Sequence, residues 1–531
     1  MKRNLILLLL VCVGLPIMAE KTASVTVHSS QGENTISRFI YGQFAEHLGT
    51  RIYGGLWAGE DSSIPNTSGY RNDVLQALRD LKVPVLRWPG GCFADNYHWR
   101  DGIGPRELRP RMVNTNWGGT VEDNSFGTHE FLNLCELLGC EPYVSMNIGS
   151  GTVQETAEWV EYMTAADGPM ALLRQKNGRQ EPWKVKYIGV GNESWGCGGN
   201  MTPAYYSNEY RRYSTYCHDY SGNRLFKVAS GASDYDYDWT ETLMKNVGNR
   251  MNGLSLHYYT CLGWSGSKGK ATRFTDDDYY WCLGKCLGIE PVIRRHIDIM
   301  DRYDRQRRVS LMVDEWGTWW DEEEGTIPGH LFQQNTMRDA FVASLSLDVF
   351  HKYTDRIAMT NIAQIANVLQ SMILTQGDKM VLTPTYHVFR MYNVHQDALF
   401  LPADVKCETM QVRNERFHPG RSEDEEPTRT LPLLSSTCSR DAQGLIHLSL
   451  SNVDLKEKQT VTVTLDDVRV KDVTGVILTS KDIADHNTFE DPDHVRPAEF
   501  KGMRVDKRNK SVITVTLPAK SIVTLEITPA K

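Results

Sequence analysis

Two apolar stretches of the chain each lead into a glutamate whose position suits acid–base chemistry. Val185–Glu193 reads VKYIGVGNE, and Val309–Trp316 reads VSLMVDEW. Cleavage of a glycosidic bond requires two carboxyl groups, one protonated to donate to the leaving oxygen and one ionised to attack the anomeric carbon. Either glutamate alone is also explained as a strand-end acid in a salt bridge. Taken together, Glu193 and Glu315 are the candidate catalytic pair.

These glutamates need a scaffold that brings them together, and the pattern from about residue 39 to 390 predicts one. Short β-rich runs alternate there with helical patterns. The eight predicted strands are Phe39–Phe44, Val83–Trp88, Pro142–Asn147, Val185–Val190, Phe226–Ser230, Gly253–Tyr258, Val309–Asp314 and Ala358–Ile362. They indicate an α/β TIM (β/α)8 barrel, in which catalytic residues lie at the C-terminal ends of the strands. Glu193 and Glu315 follow the fourth and seventh strands, which face each other across the ring.

The sequence pattern changes after about residue 393. Three later stretches alternate apolar and polar side chains, which is the period of half-buried antiparallel strands. These stretches are Leu445–Ser451, Gln459–Leu465 and Ser511–Leu517. We therefore predict a catalytic barrel at residues 39–392, followed by an all-β, jelly-roll-like sandwich at residues 393–531. Residues 20–38 contain one more alternating stretch, Ala23–His28, which we expect to join the sandwich because chain ends often lie close together.

The first residues have the composition of a secretory signal. Lys2 and Arg3 precede the apolar run Leu5–Val13, and the small Ala19 precedes a polar residue. The apolar run is too short for a comfortable membrane span. We therefore predict a signal peptide at residues 1–19 and an exported protein, periplasmic or secreted, whose mature chain does not insert into a membrane.

Composition narrows the classes of partner and cofactor. The net charge of -8 and the pI near 6.0 argue against a nucleic-acid partner, which requires a basic surface. The eleven cysteines are scattered along the chain, which favours mostly buried thiols with one or two bridges, the pairing left open. No histidine lies in a spacing such as H-E-x-x-H, so the sequence predicts no metal site and no cofactor.

Six stretches then resemble those of glycoside hydrolase family 51, in the order in which that family carries them. They are Tyr41–Gly49, Leu86–Pro105, Gly189–Trp195, Leu256–Tyr259, Val313–Trp316 and Asn361–Gln370. The resemblance spans nearly the whole chain. It implies an α-L-arabinofuranosidase with a retaining double-displacement mechanism on a TIM barrel with a β-sandwich. It also implies a homo-oligomer, a hexamer in that family.

The resemblance assigns roles to the candidate residues by motif position. Glu193 is implied as the acid/base and Glu315 as the nucleophile, and a separation of about 5 Å between them would mean retention. Asn192 carries an amide suited to the sugar 2-hydroxyl. Arg87 lies in the second-strand motif, where a guanidinium near the nucleophile would hold it ionised.

Further substrate contacts are implied at the remaining motif positions. These residues are Glu46, Cys92, His257, Tyr259, Trp319 and Gln364. A core or capping role is the alternative for each of them. Cys92 stands where asparagine is common in the family, and a thiol is a poorer hydrogen-bond partner than an amide, so its sugar contact is in doubt. Trp99 and Trp319 are candidate platforms for sugar rings, with core packing as the alternative.

The leading hypothesis is an exo-acting enzyme that releases terminal arabinofuranose from arabinan or arabinoxylan glycans. Another retaining barrel glycosidase, an endo-glucanase or a xylosidase, is an alternative because a fold does not fix a substrate. A carbohydrate-binding protein without catalytic activity is the alternative from another class.

Overall fold

The computed structural model describes residues 21–264, 266–413 and 428–530. Its larger part is a closed barrel of eight parallel strands that neighbour one another in chain order. The barrel strands, first to eighth, are Gly42–Phe44, Val85–Trp88, Glu141–Met146, Tyr187–Val190, Phe226–Ser233, Gly253–Thr260, Ser310–Thr318 and Ile357–Ile362. The predicted TIM barrel with a β-rich C-terminal part is confirmed. The predicted signal peptide at residues 1–19 lies outside the described residues.

The bounds of all eight barrel strands differ from the predicted ones, and the differences at the first and seventh strands bear on the site. Arg38–Tyr41 forms a 3-10 helix where the first strand was expected to begin. The Ser37 hydroxyl accepts from the backbone N–H of Phe39 and donates to the carbonyl of Ala358, which starts a turn instead of a strand. The seventh strand continues to Thr318, so Glu315 lies inside the strand and not just beyond it.

Helices cover the outside of the barrel. They are Asn72–Asp80, Thr128–Leu138, Val153–Thr164, Pro169–Lys176, Pro203–Tyr216, Tyr237–Val247, Asp276–Leu287, Ile289–Tyr303, Met337–Lys352 and Pro384–Tyr392. Threonine side chains cap several helix N-termini, and Thr336 with Asp339 forms a capping box. The Asp339 carboxylate also accepts from the hydroxyl of Thr318 at 2.7 Å, so the same cap fixes the end of the strand that carries Glu315. Among the described residues, none of the helices has both the length and the apolar character needed to cross a membrane.

A sandwich of two sheets follows the barrel. One sheet contains Ala403–Lys406, Lys21–Val27, Gln459–Leu465, Val512–Leu517 and Met503–Val505, in that order. The other contains Leu399–Phe400, Leu434–Arg440, Ile446–Asn452, Ser521–Pro529, Val470–Thr479 and Ala498–Glu499. Alternate side chains such as Val25, Val463 and Leu448 are buried in one apolar cluster between the sheets. The predicted domain boundaries at 38/39 and 392/393 stay predictions.

Within the part of the chain that the structure describes, four two-stranded hairpins and six 3-10 helices connect these elements. The hairpins pair Asn66–Thr67 with Tyr70–Arg71, Met112–Asn114 with Thr120–Glu122, Ile373–Gln376 with Lys379–Leu382, and Thr409–Arg413 with Thr428–Pro432. The 3-10 helices are Arg38–Tyr41, Cys92–Asn96, Trp99–Gly102, Arg106–Leu108, Gly248–Arg250 and Asn393–His395.

Helix Met337–Lys352 joins the barrel to the sandwich. Asp348 accepts from the Ser435 hydroxyl at 2.6 Å, and Nδ1 of His351 lies 2.9 Å from the Thr437 hydroxyl. Both helix residues are buried, and apolar side chains of the barrel and of the sandwich belong to one core cluster, so the contact combines polar bonds with apolar packing.

Candidate active site

Glu193 and Glu315 meet at the mouth of the barrel. A carboxylate oxygen of Glu193, one of Glu315 and a ring nitrogen of His257 all lie within 4.8 Å of one another. The side chains of Glu193 and Glu315 are 17% and 10% exposed, so each is mostly buried but can be reached from the mouth. This spacing matches the roughly 5–5.5 Å of retaining glycosidases and leaves no room for the water that an inverting enzyme places between its carboxyl groups.

A sharp turn after the fourth strand aims Glu193 into the mouth. The strand ends at Val190, and Gly191 and Glu193 both have positive φ angles, 88° and 39°. A non-glycine residue in this region costs about 1–3 kcal/mol, so surrounding contacts must hold the turn. Asp95 supplies one of them, because its carboxylate accepts from the backbone N–H of Asn192 at 3.2 Å.

Hydrogen bonds hold Glu315 from two sides. The Tyr259 hydroxyl donates to Oε1 at 2.7 Å, and Arg87 donates to Oε2 at 3.0 Å. Arg87 also donates to the Asn192 side-chain oxygen at 2.5 Å and lies 4.5 Å from the ring centre of Phe44. The guanidinium thus fixes the carboxylate of Glu315 next to the residue that precedes Glu193.

His257 bridges the two glutamates. Its Nδ1 lies 2.8 Å from Glu193 and 3.6 Å from Glu315, and its Nε2 lies 3.4 Å from Asp314. Burial by itself would lower the pKa of His257, but the charge of Glu315 and the hydrogen bonds to Asp314 and Glu193 outweigh it and raise the pKa to about 10. The imidazole is therefore a cation that lies beside Asp314 and between the two glutamates.

Asp314 keeps its negative charge beneath this histidine. Burial opposes the charge, but Arg87 and His257 lower the pKa of Asp314 to about 2. Its oxygens also accept from the hydroxyls of Tyr143 at 2.7 Å and Ser255 at 2.5 Å. Asp314, Tyr143 and Ser255 were missed from the sequence. Of the three, only Asp314 could have been recognised in the sequence, because it is the acidic residue directly before Glu315.

The pKa of Glu193 is shifted in the direction that a general acid requires. Burial raises the pKa of Glu193, the hydrogen bond from His257 lowers it, and the charge of Glu315 raises it again, with a net shift upward. A carboxyl group with a raised pKa beside one held by a guanidinium divides the two roles that glycosidic cleavage needs.

Three predicted sugar contacts lie around the pair. Nδ2 of Asn192 and Oε1 of Gln364 are buried and have no hydrogen-bond partner among the described residues. Glu46 accepts from the backbone N–H groups of Gly91 and Phe93, both at 3.1 Å, and burial raises its pKa. Buried polar atoms without partners are uncommon, so those of Asn192 and Gln364 are suited to substrate hydroxyls.

Trp117 is a further residue that the sequence did not single out. Its indole N–H donates to Oε1 of Glu46 at 3.0 Å. Trp117 lies between the strands of the hairpin formed by Met112–Asn114 and Thr120–Glu122, and no local pattern connects this hairpin to the first barrel strand.

An aromatic group stands at the rim. Tyr259 and Trp319 meet edge to face with ring centres 5.0 Å apart, and Trp264 lies 5.7 Å from Trp319. Trp264 keeps 48% of its exposure. Of the two alternatives for Trp99, core packing is the one observed, because that side chain is buried and its indole N–H donates to the carbonyl of Glu155. Packing against the helix Val153–Thr164 draws Trp99 into the core.

The pairing of cysteines that the sequence left open is resolved at one position. Cys92 and Cys197 form a disulfide with Cα atoms 5.5 Å apart. The two sulfurs lie 3.8 and 3.6 Å from Oε2 of Glu193. A disulfide sulfur has no proton to donate, so the contact predicted for Cys92 is restricted to packing beside the acid. That contact stays a prediction.

Comparison with known protein families and proteins gives consistent matches. A model described as Alpha-L-arabinofuranosidase 1 domain matches residues 77–261, and one described as Alpha-L-arabinofuranosidase C-terminal domain matches residues 314–521. An intracellular exo-alpha-L-arabinofuranosidase of Bacteroides ovatus is 65% identical over 510 residues, which is 96% of each chain. An alpha-L-arabinofuranosidase C of Emericella nidulans is 30% identical over 86% of this chain and 90% of its own length.

Solved structures match over the same extent. The GH51 arabinofuranosidase from Xanthomonas axonopodis pv. citri is 46% identical, with a TM-score of 0.91, and the match covers 96% of this chain and 100% of that one. An α-L-arabinofuranosidase from Thermotoga maritima, solved as an arabinose complex, is 28% identical with a TM-score of 0.81 over the same shares.

One prediction is overturned by these matches. The Bacteroides ovatus relative, 65% identical over 96% of the chain, is named intracellular. The prediction of an exported, periplasmic or secreted protein is therefore wrong. A basic start and a short apolar run describe a composition, and composition alone does not fix the compartment in which a chain resides.

Proposed function

Because the chain belongs to the α-L-arabinofuranosidases of glycoside hydrolase family 51, we propose that it releases terminal, non-reducing α-L-arabinofuranosyl residues from arabinan- and arabinoxylan-type glycans. It is a glycoside hydrolase of the exo-acting type. The reaction proceeds by double displacement with retention of configuration. The contact distance of at most 4.8 Å between a carboxylate oxygen of Glu193 and one of Glu315 carries this proposal.

In the first step Glu315 attacks the anomeric carbon and Glu193 gives its proton to the leaving oxygen. Arg87 and Tyr259 donate to the two oxygens of Glu315, so the attacking carboxylate is aligned before the sugar arrives. The bond from the anomeric carbon to the leaving oxygen breaks as the bond to Glu315 forms, which gives a covalent glycosyl-enzyme.

In the second step Glu193 acts as a base. It takes a proton from water, the water oxygen attacks the anomeric carbon, and Glu315 leaves as a carboxylate. The His257 cation donates to Oε1 of Glu193, which leaves Oε2 for the transferred proton. The same cation lies 3.6 Å from Glu315 and stabilises the charge that returns to it.

The sugar hydroxyls are held by the residues with unused hydrogen-bonding atoms. Asn192 donates through Nδ2 to the 2-hydroxyl, where a hydrogen bond strengthens in the transition state, and Gln364 accepts through Oε1. Trp117 and two backbone N–H groups donate to Oε1 of Glu46 and fix its carboxyl group. The carboxyl group forms a further hydrogen bond with another sugar hydroxyl. Trp319 and Trp264 offer an apolar face at the rim for the next sugar unit.

Turnover of matched aryl glycosides tests the substrate. We expect hydrolysis of an aryl α-L-arabinofuranoside and little hydrolysis of the aryl xyloside and glucoside. Proton NMR of the first product should show the anomeric configuration of the substrate. Preference for the xyloside or glucoside would favour the other barrel glycosidases, and an absence of turnover on all three would favour a carbohydrate-binding protein. The hexamer implied by the family resemblance stays a prediction.

A further inference from the structure

The disulfide Cys92–Cys197 borders the proposed acid on the side away from His257. Both sulfurs approach the same oxygen, Oε2 of Glu193, at 3.8 and 3.6 Å, while His257 contacts Oε1. Cys197 is exposed and Cys92 is half-buried, so a small reductant reaches the bond from solvent. One oxygen and two sulfurs thus form a compact group at the catalytic mouth.

We infer that, once the disulfide is reduced, Cys92, Cys197 and Glu193 form a binding site for a thiophilic divalent cation such as Zn²⁺ or Cd²⁺, and that the bound ion blocks the acid. The chemical sequence is complete with a dithiol reductant. The reductant transfers two electrons and two protons, becomes a cyclic disulfide and leaves two thiols. The cation then displaces the thiol protons, and the proton of Glu193 where it is present, to solvent.

The distances already suit a tetrahedral ion. Zinc binds thiolate sulfur at about 2.3 Å and carboxylate oxygen at about 2.0–2.2 Å, so a sulfur and an oxygen on one tetrahedral zinc lie roughly 3.5 Å apart. The observed separations of 3.6 and 3.8 Å from Oε2 of Glu193 are near this value. Only the two sulfurs must move apart, and water supplies the fourth ligand.

The backbone that carries the ligands is held by contacts other than the disulfide. Glu46 accepts from the N–H groups of Gly91 and Phe93 on either side of Cys92. The Glu193 carbonyl accepts from the N–H groups of Gly196 and Gly198 on either side of Cys197, at 2.7 and 3.1 Å. Reduction therefore leaves both thiols within reach of Glu193.

The effect on catalysis rests on the proposed role of Glu193, but the binding of the ion does not. A metal bond to Oε2 prevents that oxygen from carrying the proton that the leaving group needs. Because a general acid contributes about 10²–10⁴-fold, the reduced enzyme with one equivalent of Zn²⁺ should lose on the order of 10²-fold in kcat on a substrate with a poor leaving group.

The test compares oxidised and reduced enzyme with Zn²⁺ and with Cd²⁺. We expect activity to fall only in the reduced enzyme with Zn²⁺ and to return when a chelator is added. Titration of the reduced enzyme with Cd²⁺ should give a sulfur-to-metal charge-transfer absorption in the ultraviolet. Each activity is divided by that of the same preparation without metal, so a change in basal activity does not enter the result.

Two variants locate the site. Cys197→Ser should abolish the inhibition by Zn²⁺. It should also lower the charge-transfer absorption at saturating Cd²⁺ by the amount that one bound ion contributes. Cys407→Ser, a free half-buried thiol in the sandwich, should behave as the wild type. Equal inhibition of oxidised and reduced enzyme would overturn the inference and place the ion between His257 and the glutamates. Absence of the Cys197-dependent absorption would also overturn it, even if the protein proved inactive on every arabinofuranoside.

Discussion

His257 at the barrel mouth and His351 between the barrel and the sandwich are both buried, yet their pKa values move in opposite directions. At His257 the charge of Glu315 and the hydrogen bonds to Asp314 and Glu193 outweigh burial and raise the pKa to about 10, whereas at His351 burial is unopposed and lowers the pKa to about 3. The ring nitrogens of His351 lie 3.0 and 2.9 Å from the hydroxyls of Tyr41 and Thr437, which carry no charge. The charges of the neighbouring groups, and not the degree of burial, therefore decide whether the protonated or the neutral imidazole is stable.

The carboxyl groups of the two regions differ in the same way. Burial raises the pKa of Asp348, at the contact with the sandwich, to about 7, and its partners Ser435 and Tyr392 are neutral. Asp314 at the mouth stays ionised beside Arg87 and His257. The carboxyl group at the mouth therefore lies beside two cations, whereas the hydrogen-bond partners of the one at the contact with the sandwich are neutral hydroxyls.

The largest effect is expected from Glu315→Ala. Loss of the attacking carboxylate should lower kcat by on the order of 10⁴-fold or more, as the loss of a nucleophile does in other enzymes. Asp348→Asn is the matched control, because it neutralises a buried carboxyl group in the other region and should keep the wild-type kcat. Steady-state turnover of an aryl arabinofuranoside measures both. Equal losses would remove the distinction between the regions.

The next effect is expected from His257→Gln. This variant removes a cation from between carboxylates and should lower kcat/KM about 10²-fold. Burial raises the pKa of Glu193 and the hydrogen bond from His257 lowers it, so without the histidine the pKa rises further. The reaction requires protonated Glu193, and the basic limb of the kcat/KM profile should therefore move to higher pH. A limb at its wild-type position would show that His257 does not act on Glu193.

A smaller effect, on stability alone, is expected from His351. Its folded pKa of about 3 lies below the ordinary value of 6.5, so the stability that the neutral imidazole contributes is present above pH 6.5 and is lost as pH falls toward 3. His351→Gln should weaken the dependence of Tm on pH between 6.5 and 4 while lowering Tm at pH 7 by a few degrees. Circular dichroism melts measure this slope. A slope unchanged from the wild type would assign the acid sensitivity to other groups.

The smallest effect is expected from Trp264→Ala at the rim. An exposed aromatic platform contributes about 0.5–1.5 kcal/mol, so kcat/KM on arabino-oligosaccharides should fall by roughly 10-fold or less. Aryl arabinofuranosides do not reach the next sugar position and should be hydrolysed as before. Trp99→Phe is the control. Substitution of this buried ring should affect stability but should leave unchanged the ratio of kcat/KM on the oligosaccharide to kcat/KM on the aryl substrate. A loss of equal size on both substrates would contradict the platform.

The sequence predicts the barrel and its catalytic pair because both depend on local order. Apolar runs that end in a carboxylate place Glu193 and Glu315 at one end of parallel strands, whatever the remainder of the chain does. The salt bridge from Arg87 on the second strand to Glu315 on the seventh was expected from the family resemblance and is present at 3.0 Å. These features require only that each strand is assigned to its place in the ring.

Features that join distant segments could not be predicted in this way. Cys92 and Cys197 are 105 residues apart, and nothing in the local pattern of either selects the other. The orientation of Trp117 toward Glu46 depends on how a hairpin folds over the mouth. For Trp99 the sequence left a sugar platform and core packing open, and the structure buries the side chain in the core.

Rescue by azide tests most directly whether the two glutamates have different roles. Azide needs no proton from the enzyme and fits the space left by a carboxylate. With Glu193→Ala it should attack the glycosyl-enzyme and give an arabinofuranosyl azide of retained configuration. With Glu315→Ala it should attack the substrate directly and give the inverted azide. The same configuration from both variants, as read by NMR, would contradict the assignment of Glu193 as acid/base and Glu315 as nucleophile.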